Sequence, residues 1–357
     1  TTTGFVALLP KTSYYFQVRS RNLDLVYSSF TTVISTRTSP ETQVPVTAIT
    51  VPAAGGYLTA FTTIQGAASD NLSGVTTTYV RIRRDSDIFF WTGSVWSASV
   101  ADLTAVLSGP VTSRTWTYYA GAVTVVDGGV YTIYARSEDT DGNAESPGVN
   151  ISVTVDQTSP TAAVTYPVDA ARYNTLLTIS GTSADTAPGV VDRAEVRVKR
   201  VSDGLFWNGA GFAAPVSWNT ATTYPSSWTY TAVPVWVNEF DYVVDARAVD
   251  KAGNTGVISA SKTFTFDTVA PAALGIISLG DASPDQGTAL NLTWTANTET
   301  DLKDYRIYRS TNGNVTVGSS WTITLASIAQ PGTTHQDTGL TPVTTYYYKL
   351  TARDTAG

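Results

Sequence analysis

An internal duplication is the feature that most constrains the fold of this 357-residue chain. Segments in the first half return in the same order in the second half, at offsets of 115–116 residues early and 111 residues late. The clearest pairs are 80–84 with 196–200, 116–118 with 228–230, and 131–139 with 242–250. A match of this length and order indicates two copies of one domain of about 111–116 residues.

A second pair of matching segments brackets the duplication. Residues 8–18 and 340–350 both follow the pattern Leu-x-Pro-x-Thr-x-Tyr, with apolar side chains continuing at every second position. Alternation with a period of two places those side chains on one face of an extended strand. A proline at the entry of a strand removes no ladder hydrogen bond. Both segments are therefore predicted to be half-buried antiparallel strands.

The remainder of the chain also favours short strands. Runs rich in Val, Ile, Thr, Tyr and Trp are separated by clusters of Gly, Asn, Asp, Ser and Pro, and no helical periodicity of useful length is present. The predicted strands lie at 24–37, 77–84, 114–120, 130–138, 149–155, 175–181, 194–201, 226–231, 240–249, 259–266, 288–295, 303–309 and 344–353. The expected fold class is all-β, with tandem antiparallel β-sandwiches in a linear string.

Short proline-containing linkers divide the chain into four predicted units. The linkers lie at 38–40, 156–160 and 267–271, and the units are 1–39, 40–157, 158–268 and 269–357. Because the residue before proline is biased towards extended geometry, we expect neighbouring units to stack end to end with limited bending.

The two outer units resemble fibronectin type III domains. In the last unit, Leu290-x-Leu292-x-Trp294 is similar to that family's second strand, 304–309 to its third, and 340–352 to its penultimate strand with a tyrosine corner at Tyr346. The resemblance implies that 1–39 is the C-terminal part of such a domain and that 269–357 lacks its last strand.

The two middle units, 40–157 and 158–268, resemble bacterial Ig-like domains. They share an Asp-x-x-x-Gly-Val loop at 70–75 and 185–190 and an Asp-x-x-Gly-Asn hairpin at 139–143 and 250–254. Each copy also carries a Phe-Trp-x-Gly insert that departs from the family pattern. This combination of domains resembles the arrangement in large bacterial surface or secreted repeat proteins. Since the sequence contains no methionine, even at position 1, we expect it to be an interior segment of such a protein.

Composition excludes several classes of function. The net charge is −7 and the pI about 4.7, which disfavours nucleic acid as a partner because a basic face is required. There is no cysteine and only one histidine, His335, so neither a thiolate site nor a histidine-rich metal site can form within one chain. No apolar run is long enough to span a membrane, so no membrane insertion is expected.

The acidic hairpins are the candidate metal sites, and calcium is the only candidate cofactor. Oxygen ligands in a tight turn suit a hard cation, and the candidate ligands are Asp139, Asp141, Asn143, Asp250 and Asn254. The alternative is a plain turn, in which Asp and Asn bond to their own backbone and Gly adopts a positive φ. A further possibility is that Asp70, Asp185 and the linker residues Asp156 and Asp267 gather between domains and bind calcium there.

The tryptophans divide into two groups. Trp91 with Trp207, and Trp116 with Trp228, occupy matched positions, which favours core packing. Trp96, Trp218 and Trp236 have no clear counterpart and are the candidates for a contact surface.

No catalytic motif is present, and a Ser/His/Asp triad could use only His335, which is expected in a loop before Asp337. The sequence therefore predicts a non-catalytic, structural or adhesive segment of a large secreted or cell-surface bacterial protein, such as a stalk, adhesin shaft or extracellular fibre. Its expected location is extracellular, and its expected partners are neighbouring copies of the same protein, other cell-surface or matrix components, or glycans. The alternative is a set of spacer and carbohydrate-binding modules of a secreted polysaccharide-active enzyme.

Overall fold

A computed structural model describes residues 4–6, 8–224, 226–284, 287–313, 323–329 and 331–356. All regular structure in these ranges is β-strand, which confirms the predicted all-β class. Within the same ranges there is no helix with the length and apolarity needed to cross a membrane. The chain divides into two compact units. The first comprises Thr1–Pro160, Asp185–Asp192 and Val249–Gly256, and the second comprises Thr161–Ala184, Arg193–Ala248 and Val257–Gly357.

The first unit begins with a two-stranded antiparallel sheet. It is formed by β1 (Ser13–Phe16) and β2 (Ile34–Arg37). The predicted strand at 24–37 is therefore wrong except for its last four residues. The reason is a turn at Asn22, whose side-chain Oδ1 accepts a hydrogen bond from the backbone N–H of Val26, while Leu25 adopts a positive φ of 66°.

Two sheets follow in the first unit. The strands are β3 (Val46–Val51), β4 (Tyr57–Leu58), β5 (Thr63–Ser69), β6 (Val75–Arg84), β7 (Phe89–Trp91), β8 (Trp96–Ser97), β9 (Leu103–Thr104), β10 (Val106–Ser108), β11 (Ser113–Tyr119), β12 (Val130–Asp139) and β13 (Val149–Val155). One sheet has the order β10-β11-β5-β3, and the other has the order β4-β13-β12-β6-β7-β8 with β9 paired to β6.

The strands of the second copy repeat this topology. They are β14 (Thr161–Tyr166), β15 (Ala171–Tyr173), β16 (Ile179–Ala184), β17 (Val191–Arg200), β18 (Phe206–Trp207), β19 (Phe212–Ala213), β20 (Asn219–Thr220), β21 (Thr222–Thr223), β22 (Ser227–Tyr230), β23 (Phe240–Asp250) and β24 (Lys262–Phe266). The sheet orders are β14-β16-β22-β21 and β15-β24-β23-β17-β18-β19, with β20 paired to β17.

The last part of the second unit contains two three-stranded sheets. Its strands are β25 (Ile276–Asp281), β26 (Ala289–Trp294), β27 (Leu302–Ser310), β28 (Ile323–Ala329), β29 (Thr334–Thr338) and β30 (Tyr347–Asp354). The sheet orders are β25-β26-β29 and β28-β27-β30. His335 lies within β29, so its predicted position in a loop is wrong. Asp337 on the same strand is bonded by Arg309 and by the hydroxyl of Tyr348.

The duplicated motifs are explained by the packing of a buried tryptophan on a glycine. Trp116 and Trp228 are buried, which confirms their predicted core position. The strand residues opposite them are Gly66 and Gly181, and a Cβ at either glycine would lie within 2.4 Å of the indole ring. Only glycine leaves room for this contact, which is why both copies carry Ile-x-Gly on the strand that pairs with the tryptophan strand.

Tyrosine hydroxyls fix the entries of several strands. The hydroxyl of Tyr346 accepts a hydrogen bond from the backbone N–H of Thr341 at 3.0 Å, which confirms the predicted tyrosine corner. The same contact, to the N–H five residues earlier, is made by Tyr14, Tyr131, Tyr173 and Tyr242.

Candidate metal centres

The two acidic hairpins have the same local geometry. Oδ1 of Asp139 accepts hydrogen bonds from the backbone N–H groups of Asp141 and Asn143, both at 2.8 Å, and Oδ2 accepts from Nδ2 of Asn143 at 2.7 Å. In the second copy, Asp250 accepts from the N–H and the Nδ2 of Asn254, both at 2.8 Å. Gly142 and Gly253 adopt positive φ values of 87° and 94°. Each hairpin is thus held together as a turn by its own aspartate.

The carboxylate of Asp141 has different partners from that of Asp139. Its Oδ1 is 2.7 Å from Nζ of Lys11, and its Oδ2 accepts a hydrogen bond from the backbone N–H of Glu41. Asn143 and Asn254 present their Nδ2 donors to the neighbouring aspartates, so they orient these carboxylates. Of the five candidate ligands from the sequence, only Asp139 and Asp250 therefore lie in carboxylate clusters.

The first cluster consists of Glu41, Asp70 and Asp139, each of which contributes one carboxylate oxygen to a group whose members lie within 4.8 Å of one another. All three residues are buried. The pairing of β12 with β6 places Asp139 opposite Val75, which directly follows the Asp70 loop. That loop is closed by Asp70, whose Oδ1 accepts from the N–H groups of Leu72 and Gly74.

The second cluster consists of Asp156, Asp185 and Asp250, with the same limit of 4.8 Å between oxygens. All three belong to the first compact unit. The backbone carbonyl of Asp156 accepts a hydrogen bond from Nδ2 of Asn254 at 3.0 Å, which ties the 156–160 linker to the hairpin. Gly189 makes room for Asp185, since a Cβ at position 189 would lie 2.4 Å from its Oδ2.

The carboxylates in these clusters affect one another electrostatically. Burial raises the pKa of Asp185 against the opposing hydrogen bond from Thr186, and the negative charges of Asp156 and Asp250 raise it further. The hydrogen bond from Ser73 lowers the pKa of Glu41, but burial and the carboxylates of Asp139 and Asp70 outweigh it, so the net shift is upward. Concentrated negative charge in a buried place favours either protonation or a bound cation.

Asp267, the linker residue after the second copy, lies in a different arrangement. Nη1 of Arg172 is 3.4 Å from Asp267, 3.5 Å from Asp301 and 3.9 Å from Glu239. This group of three carboxylates is thus neutralised in part by a guanidinium supplied by β15.

Glu41 is the cluster residue that sequence reasoning missed. A detectable signal existed, because Glu41 lies five residues before β3 and Asp156 lies five residues before β14. Val46 and Thr161 begin these strands and pair with the equivalent residues Ser69 and Ala184. Glu41 and Asp156 are therefore equivalent positions of the two copies. The equivalence is hard to detect in the sequence because the first copy has Glu41 where the second has Asp156, and because both residues precede the duplicated motifs.

The three tryptophans predicted to form a contact surface are all half-buried. Trp96 packs against the first core and donates its Nε1–H to the carbonyl of Thr124, and Trp236 packs against the second core and donates to the carbonyl of Leu176. Trp218 lies between two arginines, with the guanidinium carbons of Arg197 and Arg247 at 5.0 and 4.4 Å from its ring centroid. None of the eight described tryptophans is exposed. A contact role for the three residues stays a prediction.

No protein-family model matches the chain. Two curated proteins of Cellulomonas fimi are similar in sequence. Exoglucanase B is 30% identical over 244 residues, which are 64% of this chain and 19% of that protein. Endoglucanase B is 26% identical over 241 residues, which are 64% of this chain and 20% of that protein. The chain therefore spans about a fifth of the length of these relatives.

Solved structures with similar folds include the FN1-FN3 domains of chicken CNTN1, at 13% identity and a TM-score of 0.35, covering 88% of this chain and 95% of that chain. They also include the fibronectin(III)-like modules of Clostridium thermocellum CbhA, at 18% identity and a TM-score of 0.35, covering 62% of this chain and 94% of that chain.

Proposed function

We propose that this chain is a non-catalytic spacer segment of a secreted polysaccharide-active enzyme. The observation that carries the proposal is the similarity to an exoglucanase and an endoglucanase over more than 240 residues, within about a fifth of each protein's length. About four-fifths of each relative lies outside the similar region, which leaves room there for a catalytic domain. This similarity favours the spacer over the stalk, adhesin or fibre, and it supports an extracellular location.

The internal architecture of the segment supports the same proposal. Among the described residues, each sheet is built from strands of one stretch of the chain, and the three hydrophobic cores share no residue. Domains that each carry a complete core can be joined in series without depending on one another. Such a series suits a part whose task is to hold two other domains apart.

The placement of the tryptophans favours a spacer over a carbohydrate-binding module. Binding a sugar ring by tryptophan stacking requires an accessible indole face, and none of the described tryptophans is exposed. The half-buried Trp96 and Trp236 have their indole N–H groups bonded within the protein. We therefore expect the chain alone to show no retention on cellulose.

The test is to insert the whole chain between a cellulase catalytic domain and a cellulose-binding module. Compared with a direct fusion of the two parts, the fusion with the spacer is expected to degrade insoluble cellulose several-fold faster, with equal activity on a soluble glucan. A flexible Gly/Ser linker of equal residue number is the matched control, because it gives reach without a folded spacer.

Three results would contradict the proposal. One is equal activity of the direct fusion and the spacer fusion on the insoluble substrate. Another is sedimentation of the isolated chain with cellulose, which would favour carbohydrate-binding modules. The third is release of reducing sugar by the isolated chain, which would assign catalysis to the segment itself.

A further inference from the structure

The two carboxylate clusters are the same site repeated. Each takes one acid from the segment five residues before the first strand of its copy, one from the Asp-x-x-x-Gly-Val loop, and one from the end of a long strand. The equivalent pairs are Glu41 with Asp156, Asp70 with Asp185, and Asp139 with Asp250. Three like charges that converge at equivalent places in both copies repel one another unless something positive lies between them.

Each cluster contains buried carboxylate oxygens without a hydrogen-bond partner. Asp156 is fully buried, and its Oδ1 accepts from the N–H and the hydroxyl of Thr158, whereas its Oδ2 has no donor. Oδ2 of Asp185 and Oε2 of Glu41 are buried without a partner in the same way. A charged oxygen removed from water and left unpaired is strongly unfavourable, so these three atoms indicate a missing ligand.

The three carboxylates around Arg172, those of Glu239, Asp267 and Asp301, show that such a group is accompanied by a positive charge. Asp267 is equivalent to Asp156, and there the chain itself supplies a cation to three carboxylates. The residue equivalent to Arg172 in the first copy is Tyr57, because Tyr173 pairs with Phe266 as Leu58 pairs with Val155. In the described part of the chain, none of the six cluster carboxylates has a lysine or arginine partner.

We propose that each of the two clusters binds one calcium ion. All donors are oxygens, which excludes the histidine and thiolate ligands that select zinc and suits a hard divalent cation. Oxygens on opposite sides of a calcium ion are about 4.8 Å apart, because calcium–oxygen distances are about 2.3–2.6 Å. The three carboxylates provide part of the shell, and water completes the usual six to eight ligands.

The hairpin asparagines position the carboxylates of the site through their Nδ2 groups. Asn143 and Asn254 each bond to the hairpin aspartate and also to the backbone carbonyl of the linker acid, Glu41 or Asp156. Each asparagine thereby joins two of the three carboxylate-bearing segments. This explains why the Gly-Asn pair is retained in both hairpins, although the acids at 141 and 145 of the first hairpin are replaced by Ala252 and Gly256 in the second.

The test is isothermal titration of the whole chain, freed of divalent ions by a chelator, with calcium chloride. Two ions per chain are expected to bind. Asp70→Asn and Asp156→Asn are each expected to lower the stoichiometry from two to one, and the double variant to zero. Asp203→Asn is the matched control, because its carboxylate pairs with Arg200 at an exposed position outside both clusters and its loss should leave two ions bound.

Circular dichroism of each variant shows whether it folds, and Asp185→Asn replaces Asp156→Asn if the latter does not. Calcium is expected to raise thermal transitions of the wild-type chain and to leave those of the double variant unchanged. The proposal is overturned if the folded wild-type chain binds no calcium at millimolar concentration. It is equally overturned if both single variants still bind two ions.

Discussion

Positions 102 and 218 are equivalent in the two copies, because Leu103 pairs with Val80 as Asn219 pairs with Val196. The two positions carry different residues, but each residue contacts the equivalent pair of arginines of its own copy. Asp102 accepts hydrogen bonds from Arg81 and Arg136, whereas Trp218 lies between Arg197 and Arg247. An ion pair and a cation–π contact thus perform the same packing task. The apparent lack of a counterpart for Trp218 in the sequence arises because the counterpart is an acid.

This difference predicts opposite responses to pH. Burial raises the pKa of Asp102, but the bonds from Arg81 and Arg136 outweigh it, so the pKa in the folded protein lies below the unfolded value. The stabilisation is then complete above the unfolded pKa of about 4 and is lost as pH falls through the folded pKa. Asp102→Asn is expected to cost about 1 kcal/mol at neutral pH and nothing at the acid end, measured by urea unfolding.

The matched variant is Trp218→Leu, which removes a contact that does not titrate. Its expected cost of about 1–2 kcal/mol should be the same at neutral and acid pH. A pH-independent cost for Asp102→Asn would contradict the assigned role of the ion pairs.

The contact between Gly181 and Trp228 predicts a large effect of a single methyl group. In Gly181→Ala the new Cβ would meet the carbonyl oxygen of Ala163 at 2.0 Å and the indole at 2.2 Å, and neither can withdraw without moving the strands. We expect a loss of about 3 kcal/mol or more in the free energy of unfolding. Gly280→Ala is the control, because Gly280 also lies within a strand and has nothing within 4 Å of its Cβ position. Equal stabilities of the two variants would contradict this account.

Among the structural elements, long strands were predictable and short ones were not. The equivalent strands β6 and β17, and likewise β12 and β23, show sustained alternation with one buried face. Their predicted and observed bounds therefore agree within a few residues. Strands of two or three residues such as β8 and β9 are too short to show any period, and they form only because long neighbours offer a pairing edge. The region 24–37 has the composition of a strand but contains a turn fixed by one asparagine side chain.

Strand β15 is only three residues long, yet its Arg172 is expected to contribute strongly to stability. Arg172→Gln would leave three carboxylates together, including the nearly fully buried Asp267. We expect a loss of about 3 kcal/mol in the free energy of unfolding, since an uncompensated buried charge remains. Arg200→Gln, whose partner Asp203 is exposed, should cost less than about 1 kcal/mol.

Calcium provides a second measurement on Arg172→Gln. The variant leaves three carboxylates without their cation, as in the two clusters, so added calcium is expected to recover part of the lost stability. The same additions should not change the difference between Arg200→Gln and the wild-type chain. An Arg172→Gln chain as stable as the wild type without calcium would contradict the role of the guanidinium.

On the scale of the whole molecule, the sequence predicts the repeats and the acidic positions but not which acids meet. Asp70, Asp156, Asp185 and Asp267 are expected from the sequence to gather in one place, but only Asp156 and Asp185 share a cluster. Asp141, which resembles a ligand in the hairpin, instead pairs with Lys11 from a segment 130 residues away in sequence. Asp267 resembles Asp156 in sequence, but Arg172 distinguishes the two sites. Such assignments depend on contacts between distant segments, which no local pattern encodes.

The separate cores predict that calcium acts on part of the molecule. The third core, built on Leu292, Trp294, Leu302, Tyr305 and Ile307, shares no residue with the other two, and no cluster lies next to it among the described residues. Because a ligand stabilises only the folded part that binds it, calorimetry with and without calcium should show transitions that rise and one that does not.

Tyr305→Ala identifies the insensitive transition. Tyr305 is fully buried, so its truncation should lower the melting temperature of the third core by about 10 °C or more and leave the calcium-dependent transitions in place. Tyr131→Ala, at a fully buried tyrosine of the first core, is the matched variant and should lower a calcium-dependent transition instead. If every transition moved together, with calcium and in both variants, the cores would unfold as one cooperative body, and the independence on which the proposed spacer rests would be lost.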